Sequence, residues 1–326
     1  MTFMIAISFE VLLRIFDPLG ISYLYEIHRY FKTMHSPDAR FAYISKAGAE
    51  GTFQGVTVRI NSHGFRGPET TPSKAQGTRR LMLLGDSVVF GWGVDQDRIF
   101  PALLQRRIDP TRERLEVVAA GVNSWTTRTE YEFFEDIGIN FDPDILVLII
   151  SSNDTDANQE GNTAISKHVL FSGKKEKRTL FSNMIEDIVR SAARASYVAA
   201  HLKYFAERYY VTRSQDAASE TDPRWLDARL ALDDLVELCR DRGIEVLIYL
   251  YGSEDSIAAN PVLALYRRHL TSEGIAALAL PDALIRDSSY HNSFVDVHLN
   301  ERGHQVLTDV ILEDLASRVG DPVPRR

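Results

Sequence analysis

The sequence predicts an α/β protein in which a parallel sheet is covered by helices on both faces. Two observations carry this. From Arg79 onward, short apolar runs alternate with longer stretches of helical period, the rhythm of strands joined by crossover helices in a three-layer α/β/α domain. The runs also end in Gly, Ser, Asn or Asp, and open α/β sheets keep their chemistry at the carboxyl ends of strands.

Each element follows from its own pattern. Leu81 to Leu84 is a buried strand, and Gly85, Asp86 and Ser87 come where it ends. Phe100 to Ile108 is helical, with Leu103, Leu104 and Ile108 apolar and Arg106 and Arg107 outward. Leu115 to Ala120 is a second strand ending at Gly121, and Thr126 to Ile137 is a helix. Asp144 to Ile150 contains an unbroken apolar run, as in a strand covered on both faces. It ends at Ser151-Ser152-Asn153-Asp154. Trp225 to Arg242 is a helix closed by Gly243, Glu245 to Tyr251 a fourth strand, and Val262 to Thr271 a helix with Pro261 at its start. Ile275 to Leu280 is a short fifth strand, and Arg302 to Val319 a final amphipathic helix.

Residues 1–78 read as an N-terminal extension with an apolar first helix and a small β-ribbon, 79–319 as the main domain and 320–326 as a tail. Within the main domain, about 155–222 interrupts the strand–helix rhythm and reads as a helical insertion beside the third strand's end. Its Lys174-Lys175-Glu176-Lys177-Arg178 run reads as a solvated loop. In the extension, Asp17-Pro18-Leu19-Gly20 stops a first helix, and Ile21 to Tyr43 shows no clear period. Val56, Val58 and Ile60 alternate with polar residues as in a half-buried strand, and Asn61-Ser62-His63-Gly64 makes a turn.

Composition narrows the function classes. A chain of 326 residues, 44% hydrophobic and 25% charged, suits one large soluble domain with an appendage. A net charge of -8 argues against a broad nucleic-acid interface. The single cysteine, Cys239, excludes an internal disulfide and a multi-cysteine metal site. Met1 to Phe16 is apolar apart from polar residues including Glu10 and Arg14, and falls short of the ~20 residues that span a bilayer. It has no basic n-region or small-residue cleavage site. A trimmed spanning helix, an interfacial helix and a helix docked on the domain all remain open. The location therefore stays open between a membrane-associated, extracytoplasmic protein and a soluble one.

Alone, Gly85-Asp86-Ser87 is a turn sequence. In context it belongs to a set: Ser87, Gly121 and Asn153 close three successive strands, and Asp296-Val297-His298 precedes the last helix. Acyl transfer by serine needs a base for the hydroxyl proton, a carboxylate to fix the imidazole, and donors for the oxyanion. These residues supply each. Asp296, His298 and His304 also have the composition of a metal site, a reading that leaves Gly85-Asp86-Ser87 unexplained. His304 reads as structural, Asp86 and Asp154 as loop-holding, and Trp92 as core or as a sugar or acyl contact. Gly85, Gly91 and Gly93 lack the pattern of a phosphate loop. Asn153-Asp154-Thr155 matches a glycosylation sequon, which is taken as chance.

Gly85-Asp86-Ser87, Gly121, Asn153-Asp154 and Asp296-x-His298 fall in the order of the four blocks of the SGNH (GDSL) hydrolases, and over about 79–318 the chain resembles that family. The extension, with Arg59-Ile-Asn-Ser-His-Gly-Phe-Arg66, looks like bacterial members that often carry an N-terminal membrane segment. Two departures stand out: Ser151 opens the third block where glycine is common, and Asp296 lies two residues before His298 rather than three. The resemblance implies a flavodoxin-like fold of about five parallel strands. It implies Ser87 as nucleophile, His298 as general base, Asp296 as its orienting carboxylate, and the Ser87 N–H, Gly121 N–H and Asn153 amide as the oxyanion hole. The expected activity is ester hydrolysis without a cofactor or metal, on an O-acetyl or other O-acyl ester of a glycan. Acyl transfer to a polysaccharide hydroxyl would use the same residues. A catalytically silent glycan-binding or assembly module is the reading from another class.

Overall fold

The computed structural model describes residues 2–155, 189, 191, 192, 195–211 and 219–318. The chain opens with helices α1 (Thr2–Phe16) and α2 (Ser22–Met34). Two antiparallel ribbons follow, β1 (His35–Asp38) with β2 (Ala42–Ser45), and β3 (Glu50–Phe53) with β4 (Val56–Arg59). Strand β5 (Arg79–Gly85) leads into the one-turn helix α3 (Ser87–Phe90), then α4 (Phe100–Ile108), β6 (Leu115–Gly121), α5 (Thr127–Asp136) and β7 (Ile145–Ile150). The remainder is α6 (Tyr197–Val211), α7 (Pro223–Arg242), β8 (Glu245–Leu250), α8 (Glu254–Ala259), α9 (Pro261–Ser272), β9 (Ala277–Ala279), α10 (Asp282–Arg286) and α11 (Glu301–Arg318). Most of the insertion expected at about 155–222, with its Lys174–Arg178 run, lies outside the described residues, as do the tail and Val319.

Strands β5 to β9 form one parallel sheet in the order β6-β5-β7-β8-β9. The order reverses after β5, and that is where such a sheet opens a crevice for a ligand. The two faces are read directly from alternation along the strands. Leu81, Leu83, Ile145, Val147 and Ile149 pack under α4 and α11, against Phe100, Leu104, Leu307, Ile311 and Leu315. Met82, Leu84, Leu146, Leu148 and Ile150 face the other layer, where α5, α7 and α9 lie. All six residues of β7 are buried, as its apolar run requires. On the outer side of β6, Gln105 of α4 accepts from Val117 N at 2.7 Å and donates from Nε2 to Leu115 O at 2.9 Å.

The extension shares this core. Tyr30, Phe31, Met34, Phe53 and Phe65 belong to the same buried cluster as Met82, Leu84 and Leu148. The stretch without a clear period holds α2 and the first ribbon. Its buried stripe, Ile27, Tyr30, Phe31 and Met34, does have helical spacing. Tyr and His residues around the rest of the helix hide it from a hydrophobicity count.

Candidate active site

Ser87 is the first residue of α3. Its helix is a single turn, set by Asp86, whose carboxylate accepts from Val88 N at 2.9 Å, and by Gly91 in the left-handed region at φ 75°. Gly121, at the end of β6, lies against that turn. A Cβ at Gly121 would sit 2.5 Å from Phe90 N and 2.8 Å from the Val89 carbonyl carbon. Val122 N donates to Gly85 O at 3.2 Å. Alternate residues of a parallel strand face the same neighbour, so the Gly121 N–H turns away from β5, as the Val117 N–H does in meeting Gln105.

The loop before α11 brings the remaining groups. It is closed by an antiparallel bridge between His291 and Leu299, and by bonds from Asn292 N to His298 O and Ser293 N to Asp296 O, both 2.9 Å. His298 Nε2 lies 2.9 Å from Ser87 Oγ, and His298 Nδ1 lies 2.6 Å from Asp296 Oδ1. The same Oδ1 accepts the His298 backbone N–H at 3.2 Å. The short Asp-x-His spacing thus lets one oxygen hold both nitrogens. Asp296 is fully buried, and its second oxygen accepts from Asn292 Nδ2 at 3.2 Å. An ionised Asp296 only accepts, so Nδ1 carries the proton and Nε2 is left to accept from the Ser87 hydroxyl.

Electrostatics favour that arrangement. Burial alone would lower the His298 pKa, but the Asp296 charge and hydrogen bond, with Asp86 further off, outweigh it and raise the pKa above the usual 6.5. Burial pushes the Asp86 carboxyl up, opposed by the Val88 N–H, the field of His298 and the amide of Asn153. Asn153 stands in the turn after β7, partly exposed. Behind it, Glu130 and Asp154 are both buried. Burial first, then the neighbouring carboxylates, push both well above the ordinary carboxylate range.

The structure brings Ser87, Asp296 and His298 into one hydrogen-bonded chain and puts Gly121 against the serine's turn. His304 lies apart from it: its Nδ1 faces Phe100 N at 3.2 Å, its ring stacks on Phe100, and burial lowers its pKa to about 3. Among the described residues no group of three His, Cys, Asp or Glu is arranged to hold a metal ion. Trp92 is core, 1% exposed. A cavity of about 640 Å³ lies elsewhere, between the second ribbon, α4 and β6, and none of Ser87, Asp296 and His298 lines it.

Two neighbours were not legible in the sequence. Tyr23 of α2 packs its ring against His298 in a T-shaped pair, with centroids 5.7 Å apart. Asn292 ties Asp296 to the far side of the site through Trp92 O at 3.1 Å. Neither carries a local signal, because each acts on a group distant in the chain or through an unmarked loop. The extension also reaches the loop directly: Val295 N donates to Leu19 O at 3.0 Å, and Gly20 lies against Ser293.

The model of the GDSL-like lipase/acylhydrolase family matches residues 83–306. Comparison with curated proteins gives no match. Among solved structures, the chain is similar to the lipase/acylhydrolase from Enterococcus faecalis at 12% identity, covering 74% of this chain and 97% of that one, with a TM-score of 0.41. It is similar to the psychrotrophic esterase EstA from Pseudoalteromonas sp. at 10% identity, covering 74% and 98%, with a TM-score of 0.43. A two-domain esterase active on acetylated mannans matches at 13% identity, covering 76% of this chain and 51% of that one, with a TM-score of 0.41. These likenesses are loose, and the assignment rests on the family match, which spans more than half of the chain. On that match the chain belongs to the GDSL-like lipase/acylhydrolase family and is a carboxylic ester hydrolase.

Proposed function

We propose that Ser87 is the nucleophile of a serine esterase, with His298 its base and Asp296 the group that orients the base. The observation that carries this is the chain from Ser87 Oγ to His298 Nε2 to Asp296, at 2.9 and 2.6 Å. Ser87 Oγ attacks the ester carbonyl carbon while its proton passes to His298 Nε2. The tetrahedral oxyanion is met by the Ser87 N–H, the Gly121 N–H and the Asn153 amide. The first is a free donor at a helix start, and the second is turned away from the β5 ladder. The intermediate collapses to an acyl-serine as His298 returns its proton to the departing alkoxide. Water then attacks the acyl carbon, losing its proton to His298, and Ser87 is released as the hydroxyl.

The proposed substrate is an O-acyl, in first place O-acetyl, ester of a glycan. The loop beside His298 exposes Phe294 by 50% and Val297 by 62%. An exposed aromatic ring and an aliphatic neighbour suit the apolar face of a sugar ring better than a charged acceptor. The test is turnover of p-nitrophenyl acetate, then acetate release from O-acetylated oligosaccharides, by the protein and its Ser87→Ala and His298→Ala variants. Loss of both activities in both variants is expected. Turnover unchanged by either substitution would remove the site. Ester turnover without acetate release from any glycan would remove the substrate class, and acetyl appearing on an added sugar would make the enzyme a transferase.

We further propose that α1 rests on a lipid surface. Among the described residues no helix is long and apolar enough to cross a membrane. The charged residues of α1 are both spent on the protein: Glu10 accepts from Ser196 Oγ, Tyr197 N and Val198 N, and Arg14 donates to Ala195 O. Outward it shows Met4, Ile5, Ile7, Phe9, Val11, Leu12, Ile15 and Phe16, each 46–73% exposed. Such a face suits the interfacial layer of a bilayer. Flotation with anionic vesicles is expected for the full chain and not for a variant with Ile5, Leu12 and Phe16 changed to Glu. Flotation of neither would refute the contact.

A further inference from the structure

The turn Asn61–Gly67 lies outside the family match and has no part in the reaction described above. It is tightly made. Asn61 Oδ1 accepts from His63 N and Phe65 N, both at 3.0 Å, and Asn61 Nδ2 donates to Pro68 O at 2.9 Å. Asn61 N donates to Phe65 O at 2.8 Å, Ile60 and Arg66 form an antiparallel bridge, and Gly64 takes the left-handed conformation at φ 87°. All of this delivers one side chain inward: Arg66 is 1% exposed.

The guanidinium of Arg66 donates only to backbone carbonyls. Nη1 donates to Phe90 O at 3.0 Å and Gly91 O at 2.5 Å, and Nη2 donates to Val94 O at 2.5 Å. It also lies 5.0 Å over the Phe90 ring. Among the described residues no carboxylate stands within ion-pair distance of it. Burying a cation without a counter-ion is expensive, and this one is committed to a single task. Phe90 O and Gly91 O are the carbonyl end of α3, whose first residue is Ser87. A one-turn helix cannot hold its own shape, because nucleation outweighs so few internal bonds. Asp86 secures its amino end, and Arg66 gathers the carbonyls at the other.

We propose that Arg66 is a positioning residue, which sets Ser87 against His298 by clamping the carbonyls of Phe90, Gly91 and Val94. The proposal rests on Ser87 being the nucleophile. It gives the N-terminal extension a share in catalysis without any contact to substrate. The fork geometry matters: three carbonyls in fixed directions suit a planar guanidinium and not an ammonium.

The test uses the full chain with Arg66→Ala, Arg66→Gln and Arg66→Lys. Two rates are measured, kcat on p-nitrophenyl acetate and the rate at which a fluorophosphonate labels Ser87. A displacement of about 1 Å at the nucleophile costs about 10²-fold. Both rates are expected to fall by that much in all three variants, with KM changed far less. Millimolar methylguanidinium should restore part of the loss in Arg66→Ala and none in Ser87→Ala. The cavity of about 640 Å³, lined by Phe65, Arg66, Gln96 and Ile99 among others, gives it a way in. Thermal melting separates positioning from folding, and any variant that does not fold is replaced by the next of the three. Folded variants that label and turn over at the rates of the unchanged protein would overturn the proposal. So would a loss that follows only the unfolded fraction and ignores methylguanidinium. If the unchanged protein neither labels nor turns over ester, the reading of Ser87 itself falls and takes this role with it.

Discussion

Gly121→Ala is the smallest change that probes how Ser87, the proposed nucleophile, is held. It adds one methyl group, whose carbon would sit 2.5 Å from Phe90 N and 2.8 Å from both the Val89 carbonyl carbon and Val89 Cβ. Ordinary contacts between carbon atoms lie at about 3.5–4.0 Å, so β6 and α3 must separate by about 1 Å. The atoms met are mainly backbone, and no rotamer change relieves them. β6 is hydrogen-bonded along its length to β5, while α3 is one turn long, so α3 is the part that gives. Overpacking of this kind costs about 1–3 kcal/mol, which for a domain of this size lowers the Tm by about 2–6 °C. The same movement carries Ser87, and a 1 Å error there costs about 10²-fold in kcat. The assay pairs ester turnover with thermal melting, with Gly67→Ala as control, since a Cβ at Gly67 meets nothing within 4 Å and its φ is ordinary. A Gly121→Ala protein with unchanged kcat and Tm would refute the reasoning. It would mean that the turn bearing Ser87 does not depend on close contact with the second strand.

Four further outcomes are expected. Asp296→Asn removes the acceptor that fixes the His298 tautomer, and kcat at neutral pH should fall by about 10⁴-fold; a loss below tenfold in steady-state turnover would exclude the assigned role. In the proposed role His298 takes a proton only when neutral, and its pKa is raised, so kcat/KM should climb with pH through a midpoint above 6.5. Asp296 is the chief cause of the raise and burial opposes it. The residual activity of Asp296→Asn should therefore show a lower midpoint in a pH profile, and an unmoved midpoint would count against it. Asn153→Ala should cost ~3 kcal/mol of transition-state stabilisation with little change in KM or melting, checked by kcat and calorimetry together. Arg80 is fully buried and donates to Glu116 at 2.5 Å and Pro72 O at 2.9 Å, so Arg80→Met should destabilise by about 3 kcal/mol in urea unfolding.

Much of this molecule is legible in the chain because the sheet is covered on both faces. Ile145 to Ile150 could only be an interior strand, and Leu81 to Leu84 likewise, since an unbroken apolar run has no solvent face to spare. Helix α4 is found with the bounds expected of it, Phe100 to Ile108, because its arginines mark the outer side. The end of each strand follows, and with it the placing of Ser87 and Gly121. The extension was harder. Of its four-residue ribbon strands only β4 announces itself, by the alternation of Val56 and Val58; β1 and β3 contain Pro37 and Gly51 and are too short and too interrupted for alternation to register. The site is read in part for a related reason. Asp296 and His298 announce themselves by spacing, whereas Tyr23, Asn292 and Arg66 matter through contacts with groups far along the chain or through bonds to bare backbone, which leave no mark on composition or period.

The side chain of Gln105 has a consequence for how this protein behaves in company. β6 is an outermost strand, and an outermost strand offers its free N–H and C=O groups to any extended peptide that comes by. A primary amide carries the same donor and acceptor as a peptide bond. By taking Val117 N and Leu115 O together, Gln105 acts as a one-residue false neighbour. The amino-terminal half of the strand is thereby closed to a second chain, without the cost of a sixth strand. A helix laid beside the sheet thus supplies, over that half of the edge, the bonds a neighbouring strand would make.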